Sequence, residues 1–151
     1  MENRKITFEQ KPIPLPAEYR PMYQISIIVL VLKNCCRGYT SSLQKLHFFS
    51  WCLYSESNMK KLMWIVENGF SVRIPHWTID PALNRALNYA VADGFCNLTS
   101  NKKYKLTNKG LLFVDKIEEE KDLFSVEKTF LNQIGGQITD DIVDKLTIKT
   151  Q

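Results

Sequence analysis

Between Asp80 and Gly110 the sequence leaves the backbone few choices. Asp80 is a good helix N-cap, and Pro81 suits the first helical position, where a missing N–H costs nothing. Leu83, Ala86, Leu87, Ala90 and Val91 then recur on one helical face, and Gly94 offers the left-handed exit a helix end needs. Two short apolar stretches follow, 95–98 and 104–106, separated by the polar Thr99-Ser100-Asn101-Lys102-Lys103. That spacing predicts a β-hairpin with a basic tip. Thr107 can cap a further helix, which Asn108-Lys109-Gly110 opens and which carries Leu111, Leu112, Val114 and Ile117.

The flanking segments are less sharply written. Residues 1–20 read as an extended arm, because Pro12, Pro14 and Pro16 each fix φ and restrict the residue before them. Pro21 can start a helix running to about Arg37, with Gly38 as its stop. Met22, Ile25, Ile28, Val29 and Leu32 mark one face, while Ile27, Leu30 and Val31 make the rest apolar, so this element should be buried on most sides. Its β-branched density leaves a strand as the alternative. Thr40 is the expected cap of a second helix carrying Leu43, Leu46, Phe49 and Leu53. A third helix is expected over 57–68, with Met59, Leu62, Met63, Ile65 and Val66 as its apolar face and Gly69 as its stop. The alternation of Phe70, Val72 and Ile74 predicts a short strand ending at Pro75. Beyond Glu120, Leu123, Phe124, Val126, Phe130 and Leu131 form a weaker helical face, and Thr139 caps a short acidic helix with Ile142, Val143 and Leu146.

Helix, strand, basic hairpin, strand, helix is the order of a winged-helix unit. The expected fold is therefore mainly α with a small antiparallel β wing (α+β), divided into the Pro-containing arm 1–20, a winged-helix domain 21–120 and an acidic C-terminal helical tail 121–151. An extra helix and strand stand between the second helix and the presumed recognition helix, which argues against a minimal transcription regulator. Over residues 20–117 the chain resembles the small middle component of bacterial ABC-three-component, or Lamassu-type, antiphage defence systems. The residues that carry the likeness are the apolar helix before Gly38, the stretch TSSLQKLHFFSWCL, and DPALNRALNYAVADGFCNL followed by YKLTNKG. The resemblance implies a winged-helix accessory subunit, similar to those accompanying SMC complexes. Its partners would be an SMC-like ABC ATPase subunit and an effector nuclease subunit, it would sense foreign DNA, and it would have no activity of its own. The alternative is a dimeric winged-helix DNA-binding transcription regulator, with the helix at 81–93 in the major groove.

Composition narrows the classes further. The net charge of +4 is uneven: residues 1–75 hold ten Lys/Arg against five Asp/Glu, residues 76–110 five against two, and residues 111–151 five against nine. Such a distribution suits a body that meets an acidic partner and a tail that meets something else. The four cysteines, Cys35, Cys36, Cys52 and Cys96, form no CxxC pair, and reduced buried thiols in a cytoplasmic protein are expected. The longest apolar run is far short of the ~20 residues of a membrane span, so no membrane partner is expected. Neither His47 nor His76 has a local catalytic signature, and no phosphate-loop motif occurs. Asp140, Asp141 and Asp144 sit where negative charge favours a helix start rather than a metal. No catalytic residue, cofactor or metal is expected, and the chain reads as not an enzyme.

What remains is a basic set for nucleic acid. Lys102, Lys103, Lys105 and Lys109 crowd the hairpin, with Arg85 on the preceding helix. Lysines on a turn neutralise phosphates of double-stranded DNA without reading bases. Base readout would fall to Arg85, Asn84 or Asn88. Phe48, Phe49, Trp51, Tyr54, Trp64 and Trp77 supply either an aromatic core or protein-facing surface.

Overall fold

The computed structural model describes residues 21–74 and 80–147. The arm 1–20, His76 and Trp77 lie outside the described residues. Helix α1 (Pro21–Cys35) runs through the middle, packed by four later helices and by the sheet. Every residue from Ile25 to Leu32 is buried. The strand alternative therefore fails for a physical reason: only a helix satisfies its backbone within itself while all its sides are covered by apolar side chains.

After α1 a short 3-10 turn (Arg37–Tyr39), with Gly38 at φ 63, leads into strand β1 (Thr40–Ser41). Thr40 is thus not a helix cap. Its backbone pairs with a later strand, and Ser42 caps helix α2 (Leu43–Leu53), its hydroxyl accepting the Lys45 N–H at 3.2 Å. Ser55 caps helix α3 (Glu56–Glu67) in the same way, accepting from Asn58 at 3.0 Å. The strand expected over 70–74 does not form. Phe70 takes a left-handed φ of 61, Ser71, Val72 and Arg73 are exposed, and only Ile74 is bridged, its N–H donating to the Leu146 carbonyl at 2.8 Å. Alternation alone makes no strand without a partner edge to hydrogen-bond.

Helix α4 (Pro81–Ala92) leads through Gly94 into strands β2 (Cys96–Leu98) and β3 (Tyr104–Leu106), and helix α5 (Asn108–Glu119) follows, capped by Thr107. The three strands form one antiparallel sheet in the order β1-β3-β2. Helices α6 (Ser125–Ile134) and α7 (Asp140–Leu146), joined by a 3-10 turn over Gly135–Gln137, are the last of the described elements. Phe130, Leu131, Ile134, Ile138, Val143 and Leu146 are buried in the same core as α1 and α4, so the segment after Glu120 is packed onto the body. The fold is mainly helical with a small antiparallel sheet.

All four cysteines are free and buried. Burial, with Cys36 adjacent, pushes the Cys35 thiol up to about 12, and burial alone holds Cys52 well above the usual thiol range. Such thiols stay protonated and behave as small apolar side chains. Among the described residues, no helix is long and apolar enough to cross a membrane.

Candidate nucleic-acid interface

Helix α4 is placed by its small residues and its cap. Ala82, Leu83, Ala86, Leu87 and Ala90 are buried, and the alanines among them let the helix axis approach α1 closely. The Asp80 carboxylate accepts the Ala82 N–H at 2.9 Å. Facing outward are Asn84, Arg85, Asn88, Tyr89 and Ala92, with Tyr89 51% exposed.

A polar cluster centred on the buried His47, not legible in the sequence, holds the start of this helix. His47 of α2 is 1% exposed; its Nδ1 accepts the Asp80 backbone N–H at 3.1 Å and its Nε2 lies 2.9 Å from Asn84 Oδ1. Because Nδ1 accepts, Nε2 must carry the proton and donate, so the ring is neutral. The Gln24 amide also reaches the Asp80 carboxylate, at 3.5 Å. Asn84 is thereby committed to a structural bond and is not offered for base readout. Burial lowers the His47 pKa against the opposing pull of Asn84 and Asp80. The unfolded chain then binds a proton before the folded one does. Stability should be full above the ordinary histidine value near 6.5 and fall as pH drops below it, by at most about 1.4 kcal/mol per pH unit. Urea denaturation of the wild type and of His47→Gln at pH 7.5, 6.5 and 5.5 tests this. The variant should be less stable at pH 7.5 and show a smaller loss on acidification.

The hairpin distributes its lysines unequally. Lys102 occupies a left-handed position at the tip, φ 65, and is exposed. Lys105 lies at the centre of the sheet's solvent face, directly opposite Thr40 on one side and Asn97 on the other. Lys103, by contrast, forms an ion pair with Asp140 of α7 at 3.6 Å. Lys109 donates to the Asp93 carbonyl at 2.6 Å and stands 5.0 Å over the Phe95 ring, which itself stacks on Phe113. That lysine closes the carboxyl end of α4, where a cation is favoured by the helix dipole.

Of the five basic residues expected to meet phosphate, Arg85, Lys102 and Lys105 have no ion-pair partner among the described residues, whereas Lys103 and Lys109 serve internal contacts first. The three hairpin lysines are brought together; Arg85 lies about 12 Å back along α4 from Asp93 at 1.5 Å rise per residue. A sixth basic residue was missed. Arg37 is exposed in the turn just before β1, and the pairing of Thr40 with Lys105 carries that turn to the hairpin. Only the strand pairing reveals this, since the two positions are far apart in sequence.

No known family, curated protein or solved structure matches this chain. The reading of the surface therefore rests on its own chemistry. Lys102 and Lys105 on the hairpin and Arg85 on α4 are exposed cations of a kind that pairs with phosphate and distinguishes little between bases. Among the described residues, no cluster of His, Cys, Asp and Glu is arranged to hold a metal ion.

Proposed function

We propose that this chain is a winged-helix accessory subunit without catalysis of its own, bridging an SMC-like ABC ATPase and an effector nuclease and touching double-stranded DNA through its phosphates. The observation that carries the reading is the sheet order β1-β3-β2 with α4 leading directly into the basic β2–β3 hairpin, the arrangement that places a helix and a wing side by side. The open cations on that surface, Arg85, Lys102 and Lys105, support phosphate contact. The additional helices support the bridging part. Tyr54, Trp64 and Val126 are more than half exposed, and an apolar groove of about 370 Å³ runs between α3 and α6 along Met59, Met63 and Phe130.

The test is to purify the tagged protein from cells carrying its neighbouring genes. A coiled-coil ATPase recovered in fixed stoichiometry is the expected result. A homodimer alone, binding one duplex sequence far more tightly than bulk DNA, would replace this reading with the transcription-regulator one. For the complex, changing Arg85, Lys102 and Lys105 together to alanine should lower the slope of log K against log salt by about 3 and weaken duplex binding at least ~10-fold at low salt, independently of sequence. An unchanged salt slope would place the DNA elsewhere.

A further inference from the structure

Behind the hairpin, β1, the first turn of α2 and the start of α7 line an open polar cavity of about 490 Å³. Its wall holds the cations Arg37, Lys45 and Lys103, the hydroxyls of Thr40 and Thr139, and the carboxylates Asp140 and Asp141. One of those carboxylates is already occupied: Asp140 accepts from the Ser42 hydroxyl at 3.0 Å and pairs with Lys103 at 3.6 Å. Lys45 is the unusual member. It is only 6% exposed, yet no carboxylate among the described residues lies within 4 Å of its Nζ. Its ammonium donates to the Cys35 carbonyl at 2.8 Å, at the carboxyl end of α1, and the Cys36 thiol lies beside it. An ammonium has three donors, and burying one with incomplete compensation is costly. Arg37, across the same cavity, is exposed and has no ion-pair partner among the described residues.

We propose that this cavity is a binding site for a phosphate-type oxyanion, with Lys45 as the buried ammonium and Arg37 as the exposed clamp at the rim. The free charge of the wall is positive. Asp141 is exposed and Asp140 is paired with Lys103, so Lys45 and Arg37 are the cations left for the anion. Charge-assisted bonds from a lysine point charge and a forked guanidinium are the usual means of holding phosphate. The site is distinct from the outer surface of α4 and from Lys102. The same chemistry is carried by free phosphate or a small phosphomonoester and by a backbone phosphate of DNA.

Thermal unfolding of the full-length protein in chloride buffer, titrated with inorganic phosphate at constant ionic strength and pH 7.5, is the test. At phosphate tenfold above Kd, Tm should rise by about 4 °C. Arg37→Gln, an exposed change that leaves the core intact, should weaken phosphate about fivefold or more. Lys45→Met should abolish the response. Should Lys45→Met fail to fold, Arg37→Gln alone decides. A rise equal in wild type and Arg37→Gln, or no rise at 20-fold excess over the millimolar range, overturns the site. A second arm separates the sources: duplex DNA that competes phosphate off the wild type assigns the cavity to a backbone phosphate, and duplex binding without competition assigns it to a small phosphate compound.

Discussion

Gly110→Ala should destabilise the protein by about 3 kcal/mol and lower Tm by roughly 10 °C, although alanine is the better helix former. Gly110 is the third residue of α5, and there glycine ordinarily costs up to about 1 kcal/mol relative to alanine. The space decides against that gain. A Cβ at Gly110 would stand 2.2 Å from the Phe95 carbonyl oxygen and 2.5 Å from the Leu106 side chain. The carbonyl cannot move freely, because it accepts the Thr107 N–H at 3.0 Å, while the Thr107 hydroxyl donates to the neighbouring Gly94 carbonyl at 2.6 Å. Either α5 withdraws from the hairpin, or the junction between α4 and β2 opens and the part-buried Phe95 carbonyl loses its donor, at up to about 3 kcal/mol. Urea unfolding checks the prediction. A Gly110→Ala variant as stable as the wild type would mean that α5 does not sit this close to the hairpin.

The second large effect is expected at Gly135, where the sign depends on one neighbour. Gly135 has φ −57, a conformation open to any residue, so alanine there should by itself stabilise by roughly 0.4–1 kcal/mol through the unfolded chain. A Cβ would however lie 2.1 Å from the Cys35 sulfur and 3.1 Å from the Cys35 Cβ. Gly135→Ala should therefore cost about 2 kcal/mol in the wild-type background. In a Cys35→Ala background the sulfur is gone and the cost should fall below about 1 kcal/mol, a coupling of at least ~1 kcal/mol in a double-mutant cycle. Additivity within ~0.3 kcal/mol would show that the turn after α6 does not press on the end of α1. The cycle also tests whether the acidic C-terminal segment belongs to the body, because Gly135 is a close contact between that segment and the end of α1.

The helices and their caps were largely readable because their causes are local. Asp80 before Pro81, Thr107 three residues before Gly110, and Thr139 before the two aspartates each satisfy an orphan N–H within their own turn. Reading failed where two candidates for one local role were decided from a distance. Thr40 and Ser42 are both sound caps by type, and the choice fell to Ser42 because β3 takes the backbone of Thr40. Phe70, Val72 and Ile74 alternate as a strand should, but only Ile74 finds a partner, at Thr147. The candidate site divides in the same way. Composition identifies Lys102, Lys103, Lys105 and Lys109 as a basic group, while Asp140 and the Asp93 carbonyl, reached only through folding, withdraw Lys103 and Lys109 from it.

Periodicity and capping act over a few residues, and they were enough to specify an apolar central element, a capped alanine-rich helix and a basic hairpin. Which polar groups are free to act was settled by contacts between distant segments. It buried His47 against Asp80 and Asn84, and it walled Lys45 into a polar cavity with Arg37. A side chain's chemistry depends on its remaining partners and its access to water, and both are set by segments that meet across the fold.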